Sequence, residues 1–141
     1  ARAARGRHLA LNQQLAGARR PAAVADIVGR ELPGGFNHVN LATALHRLAK
    51  LGATWEQQAA VTAICDAMLG QAQRFKGRHV ANTLWAVAKL RAQRPDVVQQ
   101  MCLEVPAKTE ELSAQNLANA LWALATLAIQ ARPGRSDAEA A

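Results

Sequence analysis

Three stretches of this sequence place a small polar group, a ring and a polar or cationic group at matched intervals. Thr43, His46 and Lys50 recur 39 residues later as Asn82, Trp85 and Lys89, and 37 residues after that as Asn119, Trp122 and Thr126. Steps of three and four residues put such a set on one face of an α-helix. Arg47, Ala86 and Ala123 extend the set by one position. The chemistry open to it is recognition rather than bond-making. Amides hydrogen-bond to base edges, flat rings stack on bases, and cations neutralise phosphate. Stacking contributes roughly 1–3 kcal/mol per base. Arg74, Lys76, Arg78, Lys89, Arg91 and Arg94 also lie between Asp66 and Asp96 with no acid among them, as a phosphate-tracking edge would. The same residues support a second reading. Trp85 and Trp122 can fill the groove between neighbouring helices, with Asn82 and Asn119 bonding across repeats.

Catalytic and metal chemistry find no comparable constellation. His8, His38, His46 and His79 have no nucleophile partner in a recognisable motif, and the acids do not pair. Leu32-Pro33-Gly34-Gly35-Phe36 lacks the phosphate-loop pattern. Cys65 and Cys102 belong to no CxxC or Cys/His cluster and fall within apolar helical patterns, so they read as reduced core thiols. A non-catalytic protein without cofactor or metal is expected.

The recurring residues need helices to hold them. Segments 36–51, 75–90 and 112–127 each read as one amphipathic helix, here called A. Leu41, Leu45, Leu48 and Ala49 share a face at 100° per residue. So do Val80, Leu84, Val87 and Ala88, and likewise Leu117, Leu121, Leu124 and Ala125. Asn37 and Ser113 suit N-caps, whereas Lys76 does not. A weaker repeat lies between these segments. Val24, Val61 and Val98 are 37 apart, as are Ile27, Ile64 and Met101, and Val28, Cys65 and Cys102. These mark a second helix, B, in each unit. The two extra residues of the first interval fall in the Gly52–Trp55 connection, since loops absorb length changes.

A lone helix pair cannot bury its apolar face, but stacked pairs can. The sequence therefore predicts an all-α fold, a right-handed α-solenoid of helix-pair repeats of about 37–39 residues. Residues 1–8 read as a basic N-terminal arm and 9–131 as the repeat domain. A divergent cap occupies 9–35, units begin near 36, 75 and 112, and a polar tail fills 132–141. No B helix follows the third A helix: either the chain is cut there, or a partner, such as protein subunits of a larger complex, covers the open end.

Composition agrees. The chain is 50% hydrophobic but only 4% aromatic, which suits helices packed through Ala and Leu rather than a β-sandwich. A net charge of +7 points to polyanionic partners, RNA among them. No apolar run reaches the length of a membrane span. Arg2, Arg5, Arg7, Arg19 and Arg20 precede the first acid, Asp26, a pattern shared by organelle-targeting remnants and basic arms.

The pattern Leu-Ala-Asn-x-Leu-Trp-Ala-x-Ala-x-Leu spans 117–127, and 80–90 with Val80 in first place. It resembles the octotricopeptide repeat proteins and the related helical repeats of FAST-kinase-like and RAP-domain proteins. The first copy, 41–51, fits with His46 in place of Trp. The resemblance covers residues 36–127 and implies RNA binding in mitochondria or chloroplasts, in transcript maturation, translation or ribonucleoprotein assembly. Two rival functions share the pattern. Armadillo-like scaffolds hold extended peptides with an Asn and a Trp, and a structural subunit would pack its basic surface on rRNA or acidic proteins.

Overall fold

The computed structural model describes residues 1–132. The polar tail expected at 132–141 lies, apart from Arg132, outside them. All described secondary structure is helical: α1 (Arg2–Gly17), α2 (Pro21–Gly35), α3 (His38–Lys50), α4 (Gln58–Met68), α5 (Gly77–Leu90), α6 (Pro95–Glu104) and α7 (Ala114–Gln130). Short 3-10 turns precede α4, α5 and α7.

Local chemistry fixes the helix starts. Asn37 and Asn40 cap α3 reciprocally: the Asn40 N–H donates to Asn37 Oδ1 at 2.9 Å, and the Asn37 N–H donates to Asn40 Oδ1 at 3.0 Å. Ser113 and Asn116 repeat this box at α7, at 3.0 and 3.1 Å. Pro21 and Pro95 open α2 and α6 at a position that has no N–H to satisfy. Past α3 the chain turns at Gly52 with φ 76°, in the left-handed region that glycine enters without strain.

The odd-numbered helices form one row, with α1 packed on α3, α3 on α5 and α5 on α7. In the second row α2 packs on α4, and Arg94 at the start of α6 reaches α4 through Asp66. Each even-numbered helix packs on the odd-numbered helix before it. The odd row is built through small residues. Ala42, Ala44, Ala81, Ala86, Ala88, Ala120 and Ala123 are all 7% exposed or less. Small side chains let neighbouring helices approach closely. Residues 2–8 are the first turns of α1, so the chain has no break where the basic arm meets the repeat domain.

The apolar stripes behave differently along the row. Leu41, Leu45 and Leu48, and Val80, Leu84 and Val87, are 0–1% exposed. Their counterparts Leu117, Leu121 and Leu124 are 41%, 67% and 37% exposed. The repeat pattern places the third stripe in the core, and it is not there, because among the described residues no helix covers that side of α7. The same open end leaves Val98 and Cys102 half-buried where Val61 and Cys65 are buried. Both cysteines are free.

Leu84 and Leu121 therefore separate, although they hold one repeat position. Leu84→Ala should cost about 2–5 kcal/mol of stability through transfer and cavity terms. Leu121→Ala should stay within about 0.5 kcal/mol, as an exposed site does. Urea unfolding of the two variants checks this, and equal losses would mean that α7 is covered in solution.

Candidate nucleic-acid interface

The outward stripe of the odd row carries the recurring set. On α5 it runs Arg78, Asn82, Trp85, Lys89, with both cations exposed and the two middle residues half-buried. Thr43, His46 and Lys50 occupy the same stripe on α3, as do Asn119, Trp122 and Thr126 on α7. The three rings meet across the row. His46 and Trp85 lie edge to face with centroids 5.3 Å apart, and Trp85 and Trp122 are tilted at 6.5 Å. Contacts of this geometry contribute about 0.5–1.5 kcal/mol each beyond burial. The rings therefore tie three helices together, and Trp122, 44% exposed, is the most accessible of them. The Asn119 carboxamide oxygen accepts from Gln115 Nε2 at 3.0 Å.

Two expected site residues are placed elsewhere. The position shared by Arg47, Ala86 and Ala123 does not face out: Ala86 and Ala123 are fully buried between odd-row helices. Arg47 accordingly turns toward α1, where its Nη2 donates to the Ala18 carbonyl and caps that helix end. Arg94 is also taken. It pairs with Asp66 at 2.7 Å and Asp96 at 3.0 Å, and its side chain is 17% exposed. The two acids that bracket the charge run in sequence thus neutralise its last member. Arg74, Lys76, Arg78, Lys89 and Arg91 stay exposed, and none takes part in an ion pair among the described residues.

Charge divides cleanly between the rows. α1, α3, α5 and α7 contain no Asp or Glu. Every acid among the described residues sits in α2, α4, α6 or a 3-10 turn. The ring stripe is consequently flanked by cations with no acid on its own helices, a field that attracts polyanions.

Two charged residues absent from the sequence-based site position its edge. The Lys108 ammonium is buried and donates to the Ala72 and Gln73 carbonyls at 3.1 Å each and to the Phe75 carbonyl. Glu104 lies 3.4 Å from it. Glu111 accepts the Gly77 N–H at 2.8 Å, so the carboxylate caps α5 where Lys76 cannot. Gly77 is required there, because a Cβ would sit 2.9 Å from Glu111 Cβ. Together these contacts fix the turn that carries Arg74 and Lys76. The repeat does not betray them, since Lys108 and Glu111 correspond to Gln71 and Arg74 one unit earlier.

The histidines are driven toward the neutral form. Burial first, then Lys50 and Arg47, holds His46 below the usual imidazole range. Burial and Arg74 do the same for His38. His79, 7% exposed with an unpartnered Nδ1, is lowered to about 4 by burial and then by Arg78. Among the described residues no group of three His, Cys, Asp or Glu could hold a metal, and no helix is long and apolar enough to cross a membrane. No family model, curated protein or solved structure matches the chain.

His79 makes stability pH-dependent. Its folded pKa near 4 lies below the ordinary 6.5, so the unfolded state binds the extra proton between those values. Stability should be full above about pH 6.5 and fall as pH drops toward 4, by roughly 3 kcal/mol. His38 and His46 add to the same trend. His79→Asn installs the residue found at the matching positions Asn40 and Asn116 and should remove most of the slope. Denaturant melts at pH 7 and 4.5 read it out, and an unchanged slope would clear His79 of this role.

Proposed function

We propose that the chain is a non-catalytic RNA-binding module, a right-handed α-solenoid of helix-pair repeats whose odd row faces the nucleic acid. The acid-free odd row carries this reading, because it presents amides, an accessible ring and unpaired cations on one stripe. Trp122 stacks a base, and Asn82 and Asn119 bond base edges. Trp85 and His46 hold the spacing between helices. Lys50, Lys89 and Arg91 line one end of the stripe, with Arg74, Lys76 and Arg78 at the other, and both groups meet phosphate.

Arg91 adds support. It adopts φ 53°, the left-handed conformation that Gly52 takes at the equivalent exit of α3. A non-glycine residue there costs about 1 kcal/mol. A cation kept at a position better served by glycine is consistent with a binding role. An organellar site of action, in transcript maturation, translation or ribonucleoprotein assembly, rests on the repeat resemblance.

Anisotropy of labelled single-stranded RNA against salt tests the proposal. Lys89→Gln with Arg91→Gly should weaken binding to all sequences and flatten the salt slope by about 0.7 for each phosphate no longer neutralised. Arg91→Gly should at the same time raise stability. Asn82→Ala and Trp122→Ala should lower affinity with the slope nearly unchanged. Absence of salt-dependent binding at low ionic strength would falsify the proposal. Binding that ignores the Asn and Trp changes would shift it to a scaffold touching RNA through its basic edge alone.

A further inference from the structure

We infer that His38 is a proton-linked phosphate contact: a phosphate seated against Arg74 and Lys76 at the N-terminal end of the odd row draws a proton onto this imidazole as it binds. The contact belongs to the RNA edge proposed above and rests on that reading only for the source of its phosphate. The repeat does not ask for a titratable group here, since Gly77 and Ala114 stand where His38 does in the next two units.

Several elements converge on the first turn of α3. The His8 carbonyl of α1 accepts from Asn40 Nδ2 at 3.0 Å, which brings His8 to this end of the helix. The turn before α5 comes as close: the His38 ring packs on the Phe75 ring, with centroids 6.1 Å apart and planes tilted by 36°. Phe75 is buried, and its chain neighbours Arg74 and Lys76 are exposed. His38, half-buried, is thereby held beside two cations that take part in no ion pair among the described residues. The Lys108 ammonium on the Phe75 carbonyl and His79 of α5 complete the group. The acids at the neighbouring helix ends are engaged: Glu104 with Lys108, Glu111 with the Gly77 N–H, Glu31 with Arg30, and Asp66 with Arg94.

Charges of one sign therefore surround the ring. Burial first, then Arg74, His8, Lys108 and Lys76, holds His38 below the usual imidazole range. A phosphate among the same cations reverses their effect. It offsets the charge of Arg74 and Lys76 and sets a negative charge near the ring, and both favour the imidazolium. The pKa of His38 is then higher in the bound state than in the free state. Between those two values the complex holds the extra proton, so binding strengthens as pH falls through them and gains nothing above the higher one. A protonated His38 also neutralises one more phosphate, which steepens the salt slope by about 0.7 on a single strand. The loss of stability that His79 causes at low pH acts against binding and cannot produce this gain.

The probes are labelled single-stranded RNA and inorganic pyrophosphate, each titrated with the full chain at fixed ionic strength. RNA anisotropy should show affinity rising at least about threefold from about pH 7.5 to about pH 5.5, and His38→Gln should lose most of that gain. His38→Lys keeps its charge throughout and should bind RNA at about pH 7.5 at least about threefold more tightly than the natural chain, an outcome that lost packing cannot give. By NMR, the His38 Cε1–H resonance should titrate at higher pH with either probe present than without. An affinity gain that His38→Gln retains overturns the inference. A resonance that ignores both probes overturns it as well, whether or not RNA binds. A resonance shifted by pyrophosphate alone keeps the contact and removes RNA as its source.

Discussion

Close approach of the odd-row helices through alanine is the constraint on which the rest depends. Ala81, Ala86, Ala88, Ala120 and Ala123 are small side chains buried in α5 and α7, which pack on one another. Beside this row of small residues, rings on three successive helices come within 5.3 and 6.5 Å of one another. A larger side chain in this row would part the helices and break the ring contacts, because packed interiors have no slack to absorb added volume. The alanine content that lowers the chain's aromatic share is therefore a geometric requirement of the stripe outside it.

Charge is organised by the same division into rows. α3 and α5 are buried on several sides and leave a narrow stripe to water, and Lys50, Arg78 and Lys89 are exposed on it. The acids are used elsewhere, and several have structural tasks. Asp66 and Asp96 hold Arg94, and Glu111 caps α5. Lys108 shows the converse, a cation withdrawn from the surface to donate to the backbone carbonyls of the turn before α5. Counting cations in the sequence overstates the basic edge by Arg94 and the outward helix face by Arg47, because backbone carbonyls and local acids compete with any external anion.

The sequence by itself determined the all-helical character of the fold and the helix starts at Asn37 and Ser113. Period 3.6, the Asn37 and Ser113 caps and the 37- and 39-residue offsets are local or repeated signals, and helical geometry converts them directly into faces. It also placed His46, Trp85 and Trp122 on one stripe, and left open whether they bind or pack. Only the tertiary structure decided that the rings touch one another and that Ala86 and Ala123 face a neighbouring helix. It alone turned Arg47 to α1 and buried Lys108 against the turn before α5. Those outcomes depend on which helix lies beside which, a relation between distant segments that no local period encodes. The exposure of Leu121 is of the same kind. Its type and spacing match Leu84, and burial differs because a side chain is buried by its neighbours and not by its own identity.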